Sequence, residues 1–398
     1  MTEFWHLFAA ATLCVWLLLL ADSVRAFRAV TPLPPDAGGS GDGNTERHPL
    51  VSVIVTAKEE ELHIADTIRH LLDQTYPRME IIAINDRSRD KTGLRLEQLK
   101  EWSQGRDLFP IPLRVIHITH LPRGWLGKNH ALYQGYLQAR GKYLLFTDAD
   151  VLFHPDTIRA AVTYMQQHEI DHLTLAPALI SRSFPLQAFV HMFIFCLNLA
   201  FRPWRSNLDA RKGTGMGIGA FNLITRNAYE TIGTHKAIAM CPDDDLQLGK
   251  RVRQFGLRQR ILLGSEWIRV KWYANLGEAI RGMEKNVFSG FGYRISLVIA
   301  ALAAQWAFFL VPFVAVWWIG GWPRFWYMLS IAIMLALYVM HTRRFTGESG
   351  TDAVLFPINV LLFGYVIIRS VALILIRRGM YWRGTFYSVK ELKKMRKP

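Results

Sequence analysis

Little in these 398 residues could staple, chelate or shuttle electrons. There are three cysteines, Cys14, Cys196 and Cys241, far apart, with no CxxC and no Cys/His cluster of zinc-site spacing. A disulfide framework and a structural zinc are therefore excluded as organising devices, and a reducing compartment fits. No Walker lysine loop occurs, and no GxGxxG joins a strand to its helix, which removes the support for P-loop hydrolysis and nicotinamide redox chemistry. Acidic residues are scarce as well: 32 Asp plus Glu against 47 Lys plus Arg leave a net charge of +15. What is plentiful is apolar surface. At 51% hydrophobic residues the chain is too apolar for a disordered polycation and long enough to bury a core without staples.

The apolar residues are unevenly spread. Phe4 to Ala21 is uncharged and close to the roughly twenty residues that cross a bilayer. It has no basic n-region and is followed by Arg25 and Arg28, so residues 1–24 read as a signal anchor with the N-terminus outside. A Pro- and Gly-rich stretch, 25–49, reads as a linker. Residues 295–376 hold three further apolar segments, Ile295 to Trp322, Phe325 to Met340 and Ala353 to Ile376. Three crossings from a cytosolic domain would export the tail, 377–398, yet it carries eight Lys/Arg against the single Glu391. Charge places that tail in the cytosol. The third segment is then expected to be a broken or re-entrant pair of short helices, since Pro357, Gly364 and Arg369 suit one straight lipid-facing helix poorly. About half of the basic excess lies in this tail, so an anionic membrane surface explains it better than a nucleic acid.

Between these regions, 50–275 reads as a water-facing α/β domain. VSVIVTA (51–57), EIIAIND (80–86), LRVIHI (113–118) and KYLLFTDAD (142–150) have the composition of buried strands, with helical stretches near 60–72, 92–102 and 128–139 between them. That alternation predicts a largely parallel sheet whose ligands bind beyond the carboxyl ends of the strands. Polar residues gather there: Lys58 and Glu59, Asn85 and Asp86, Asp148 and Asp150. An Asp-x-Asp by itself is a common solvated turn. At the end of an apolar strand, however, two carboxylates suit Mg²⁺ or Mn²⁺ bridging a diphosphate. Asp243, Asp244 and Asp245 open a helical run; one acid there would serve as a cap, and three exceed that need, leaving a carboxylate for general-base work. The glycines Gly213, Gly215, Gly217 and Gly219 read as a flexible loop.

Taken together, VSVIVTAKEEE, AINDRSRDKT, GKNHALYQGYLQARGKYLLFTDADV, GAFNLITRNAYETIGTH and PDDDLQLGKRVRQFG resemble, in order, the family-2 glycosyltransferases of the GT-A fold. The resemblance implies a Rossmann-like α/β/α catalytic domain flanked by N- and C-terminal transmembrane helices. It further implies that Ala57, Glu59, Asn85, Asp86, Lys128 and Asp148 bind the nucleotide-sugar donor, a UDP-sugar, and that Asp148 and Asp150 hold Mg²⁺ or Mn²⁺. Asp245 would be the base of an inverting transfer, with Asp244 the neighbouring alternative because the usual Glu-Asp is Asp-Asp here. The usual Asp-Asp-Gly is also changed, to Asn85-Asp86-Arg87.

The QxxRW motif of processive polysaccharide synthases is missing. In its place RGMEKNVF, with GWLGKN and WRGTFY elsewhere, is similar to bacterial lipid-directed members of the ceramide, hopanoid and carotenoid type. A membrane-lipid acceptor, an inner-membrane location and a cytosolic catalytic domain follow from that likeness. Transfer to a polyprenyl phosphate, a polysaccharide synthase and an inactive scaffold are the alternatives. The segment 276–294 reads as an interfacial amphipathic helix whose Arg281 and Lys285 contact either lipid headgroups or a diphosphate and its acceptor. Leu186 to Phe201 is apolar but short for a span, and reads first as a core helix of the domain.

Overall fold

The computed structural model describes residues 2–35, 48–105, 111–181, 183–209, 214–382 and 385–394. It opens with helix α1 (Thr2–Ala29), then β1 (Val51–Ala57), α2 (Ile64–Leu72), β2 (Met79–Asp86), α3 (Thr92–Gln104) and β3 (Leu113–Ile118). Next come α4 (Gly127–Gln138), β4 (Tyr143–Asp148), β5 (Val151–Phe153), α5 (Thr157–Gln167), β6 (His172–Ala176), β7 (Ala178–Leu179) and α6 (Phe184–Phe201). After these lie β8 (Asn222–Thr225), α7 (Arg226–Thr231), α8 (Asp244–Gln254), β9 (Gln259–Leu263) and β10 (Ile268–Val270). The C-terminal part holds α9 (Leu276–Gly290), α10 (Ile295–Gln305), α11 (Val311–Trp318), α12 (Gly321–Thr346) and α13 (Phe356–Ile376). It ends with β11 (Gly379–Trp382), β12 (Thr385–Ser388) and α14 (Val389–Lys394). Two compact units result: an α/β unit, 30–179 with 203–271, and a helical unit, 1–29 with 180–202 and 272–394.

The α/β unit is built on a seven-stranded sheet of order β3-β2-β1-β4-β8-β6-β9, in which β8 alone runs against the rest. Strand β1 is buried at every position, as expected of a central strand covered by helices on both faces. Helix α4 comes unusually close to it: a Cβ on Gly135 would lie 2.5 Å from Ile54 Cγ2 and 2.8 Å from Ile84 Cδ1. Alanine there would overpack the core at a cost of roughly 1–3 kcal/mol. That contact fixes where the first turn of α4 points. The linker is shorter than the sequence implied. Helix α1 runs on to Ala29, with Arg28 favourably placed in its last turn, and Val30 and Leu33 are buried, Leu33 N–H donating to Leu263 O at 3.0 Å.

Among the described residues of the helical unit, five helices are long and apolar enough to cross a membrane: 3–29, 184–201, 295–318, 321–346 and 351–376. Helices α1 and α12 lie side by side in the same direction, Phe8 meeting Tyr327, Ser23 meeting His341 at 3.0 Å and Phe27 meeting Phe345. Helix α6 is not a core helix of the α/β domain, as its length had indicated. It belongs to this bundle, where Met192 and Phe195 cluster with Trp16, Tyr338 and Phe356. An all-apolar surface such as this one can be buried among helices as readily as under a sheet.

The third C-terminal segment is not broken where expected. Helix α13 is continuous over 21 residues, because Pro357 falls in its first turn, where no intrahelical N–H is lost. Gly364 lies against α10 near Trp306, and Arg369 pairs with Glu284 of α9 at 2.5 Å. The irregular backbone precedes the helix instead, in the 3-10 turn Thr351–Leu355. Phe356 packs beside Tyr338 and Phe309, well inside the bundle, while the other end of α13 lies with α9 and the start of α10: Ser370 bonds Glu284 O, and Tyr293 OH contacts Met380 Sδ at 4.0 Å. Segment 347–376 therefore dips in and returns to the end of the bundle where α12 finishes. The break in regular helix appears in the first C-terminal segment, where a π turn, Trp306–Leu310, separates α10 from α11.

Candidate active site

Parallel pairing brings the polar strand ends into register. Ala57 pairs with Asn85 across β1 and β2, and Thr56 pairs with Asp148 across β1 and β4. Asp86, Asp148 and Asp150 therefore collect at one edge of the sheet. Asp86 is fully buried and accepts from Arg87 Nε at 2.7 Å. Arg87 takes φ +57°, the left-handed conformation that a glycine usually supplies. Its guanidinium and the Asp86 carboxylate pack over the first turn of α4, where Gly127 leaves them room: a Cβ there would sit 2.5 Å from Asp86 Oδ2 and 2.6 Å from Arg87 Nη2.

Lys128, the next residue, reaches between two clusters. Its Nζ is 2.9 Å from Asp148 Oδ1 and 3.5 Å from Asp244 Oδ1. Burial opposes its charge, but Asp148, Asp244 and Asp245 outweigh that and hold its pKa well above the usual lysine value. Burial, then the Asp148 charge, push Asp150 up to about 7. Burial, then Asp244, push Asp245 up to about 7 as well. The three consecutive acids are thus differently employed. Asp243 occupies the N-cap position but caps nothing with its side chain, which accepts from Gln247 Nε2 at 2.8 Å. Asp244 is buried beside Lys128. Asp245 accepts from Gly219 N–H through Oδ2 and from Leu246 N–H through Oδ1, both at 2.8 Å.

The loop that holds Asp245 is not the slack connection its glycines indicated. Gly213 lies outside the described residues, but 214–219 is tied down. Gln259 exchanges two bonds with Met216, N–H to Oε1 at 3.2 Å and Nε2 to carbonyl at 2.8 Å. Asn222 bonds Ile218, and buried His172 lies between Asn222 and Gln259. The glycines permit close packing: a Cβ on Gly219 would lie 2.6 Å from Asp148 Oδ2 and 3.5 Å from Asp245 Oδ2. Gly219, Asn222 and Gln259 escaped the sequence reading. The signal for Gln259 was a polar residue opening a strand, QRILL, that is otherwise largely buried.

Two residues expected to contact the donor also make hydrogen bonds within the fold. Asn85 bonds His117 Nδ1 at 3.0 Å and accepts from Ser88 N–H. Glu59, exposed, accepts from Arg89 N–H, while its own N–H donates to Ser88 Oγ. Glu59 ties the loops after β1 and β2 together, and Asn85 ties the loop after β2 to strand β3. Ala57 is buried at the strand end. Arg281 is exposed on α9 of the helical unit, and the side chain of Lys285 lies outside what is described.

A largely parallel sheet with carboxylates at its carboxyl edge and a lysine bridging them is an arrangement of the GT-A fold. The family model "Glycosyl transferase family 2" matches residues 52–233, and the chain carries that domain and is a glycosyltransferase. It is 23% identical over 354 residues to a 4,4'-diaponeurosporenoate glycosyltransferase of Staphylococcus aureus (strain MRSA252), covering 86% of this chain and 90% of that one. Among solved structures it is similar to mannosyltransferase PcManGT from Pyrobaculum calidifontis in complex with GDP-Man and Mn2+, with TM-score 0.53, 19% identity and coverage of 91% and 99%.

Proposed function

We propose that this glycosyltransferase moves one sugar, with inversion, from a nucleotide-sugar to a hydroxyl of a membrane lipid, and that it needs a divalent cation. The observation that carries the reading is the Lys128 bridge between Asp148 and Asp244, with Asp245 one residue further on, in a chain with five membrane-length apolar helices. UDP-sugars are the first donors to test. GDP-mannose is the second, since the similar mannosyltransferase binds it.

No group of three or more Asp, Glu, His or Cys poised for a metal occurs among the described residues. The oxygen pair of Asp148 and Asp150 nevertheless fits a cation that takes its remaining ligands from a diphosphate and water. The lack of a side chain at Gly219 is what lets the Asp148 carboxylate sit where it does, 2.6 Å from the place a Cβ would take. Mg²⁺ or Mn²⁺ held by these two carboxylates would supply Lewis-acid stabilisation of the departing nucleoside diphosphate. Lys128 adds a fixed positive charge to the same place. Asp86 and Arg87 together offer a hydrogen-bond acceptor and donor to the nucleoside, beside the first turn of α4. Asp245 takes the proton of the acceptor hydroxyl as its oxygen bonds to the anomeric carbon and the bond to the diphosphate breaks. The hydrogen bonds from Gly219 and Leu246 orient that carboxylate, and a pKa near 7 suits a base working at neutral pH.

The relative's name, a carotenoid carboxylate transferase, favours a second form of acceptor, a lipid carboxylate. A carboxylate is already an anion and needs no base, so the pH dependence of transfer distinguishes the two.

The topology follows from two features. Strands before and after α6 share one sheet, so both ends of α6 lie on the same side of the bilayer and it does not cross. Segment 347–376 returns to the end of the bundle from which it entered. Crossings then number three, α1, α10–α11 and α12, and the basic tail lies on the catalytic side, which the charge rule makes cytosolic. Membranes incubated with radiolabelled nucleotide sugars should carry label into the lipid extract, dependent on Mg²⁺ or Mn²⁺. Label confined to polymer or protein would refute the proposed acceptor.

A further inference from the structure

The helical unit contains an apolar groove that sugar transfer leaves without a role. It encloses about 710 Å³, within the range of ligand sites. Its walls include Trp5 and His6 of α1, Trp306 and Leu310 of the π turn, Val314 of α11 and Leu361 of α13. His6 is the one titratable group in the lining. A sugar or charged headgroup placed there would lose its hydration without compensating hydrogen bonds, so the occupant is hydrocarbon. A π turn is uncommon and tends to mark functional places in helices, and here it forms part of the wall.

Depth narrows the occupant further. Trp306 lies eleven residues beyond Ile295, and at about 1.5 Å per residue the groove begins roughly 16 Å into the bundle and extends to about 37 Å at Gly320. One leaflet of the hydrocarbon core is about 15 Å thick. A chain entering from the end of α10 that adjoins α9 must outreach one leaflet to fill the groove, and the open side at Val314, 58% exposed, lets it enter laterally.

We infer that this groove holds the far end of a hydrocarbon chain longer than one leaflet, the tail of the acceptor lipid. The word acceptor rests on the proposed function; the binding itself does not. The consequence is selection of acceptors by tail length at a place remote in sequence from the carboxylates.

The test uses the full chain in phosphatidylcholine nanodiscs and the fluorescence of its tryptophans, with thirty-carbon and ten-carbon conjugated polyene alcohols as probes. The thirty-carbon probe should quench saturably. Val314→Phe, at an exposed position that tolerates bulk, should weaken its half-saturation at least tenfold, and Val314→Ala should leave it equal or tighter. The ten-carbon probe should quench weakly and equally in all three proteins. Linear, unsaturable quenching, or equal half-saturation in wild type and Val314→Phe, would overturn the inference in favour of ordinary annular lipid. Saturable binding without any lipid labelling from nucleotide sugars would sink the proposed function and leave the groove standing.

Discussion

Replacing Gly219 by alanine puts one methyl group where the two carboxylate clusters meet. The new Cβ would lie 2.6 Å from Asp148 Oδ2 and 3.5 Å from Asp245 Oδ2, so Asp148 must yield by an amount on the order of 1 Å while Asp245 stays in ordinary contact. The obstacle is the tip of a side chain about one third exposed, at 35%, so the backbone need not move and the fold should survive. Asp148 is also the nearer partner of Lys128, at 2.9 Å. Turning it away disturbs both the lysine and the proposed cation site. A misplacement of about 1 Å at a reacting centre can cost on the order of 10²-fold in rate, about 2.7 kcal/mol in the barrier. The prediction is a fall of about 10²-fold in kcat/KM for label transfer into the lipid extract, with the thermal midpoint shifted by no more than about 2–4 °C. Gly124→Ala is the control: φ is +85° there and nothing lies within 4 Å of the added carbon. Its cost is therefore backbone strain of about 1–2 kcal/mol in stability, without loss of rate. Wild-type turnover by Gly219→Ala, or unfolding in place of inactivity, would refute the geometry argued for this site.

Asp150→Ala should abolish divalent-dependent turnover with the fold intact; full activity of that variant in EDTA would end the metal assignment. Asp245→Asn should retain donor binding by isothermal titration but lose roughly 10²-fold or more in kcat, whereas a larger loss in Asp244→Asn would move the base one residue back. Since Asp245 is raised to about 7 and, as the proposed base, must be deprotonated to act, the rate should climb with pH through about 7 and level off above it. A flat acid limb in wild type would indicate a carboxylate acceptor. A cysteine at Ser388 should resist membrane-impermeant thiol reagents in intact cells and react after permeabilisation; ready labelling without permeabilisation would mean that α13 crosses.

Much of the α/β unit was legible because its strands announce themselves by composition. The expected strands 51–57 and 113–118 are β1 and β3 to the residue, and the other two differ by one or two positions at their ends. What composition cannot carry is the use to which a polar residue is put. Asn85 and Glu59 stand near strand ends close to Asp86 and look equally available, but Asn85 bonds His117 of β3 and Glu59 bonds the loop after β2. Asp243, Asp244 and Asp245 are identical in chemistry and separate only when α8 turns them toward Gln247, Lys128 and Gly219 respectively. The glycine run 214–219 reads as slack because glycine serves both flexible loops and close packing. Gln259 and Asn222, distant in sequence, decide between the two.

On the proposed topology, the conflict between hydropathy and charge over the C-terminal region has a physical resolution in the cost of unsatisfied backbone inside a bilayer. Irregular chain at membrane depth persists only where protein covers it. The turn Thr351–Leu355 meets that condition: Asp352 is 2% exposed, accepts from Tyr338 OH and lies 3.2 Å from His191 Nδ1. Those partners come from α12 and α6, so the apolar helix between the metal-type and base-type motifs also helps to cover the dip of the re-entrant segment. The proposed topology, in which α6 and α13 both fail to cross, is thereby linked at one place in the bundle. Removing Asp352 would leave the turn without its anchor, and a straight α13 would then compete, carrying eight basic residues toward the wrong side. Translocating that charge is opposed by the positive-inside tendency, so the anchor and the tail act on the same equilibrium from opposite ends of one helix.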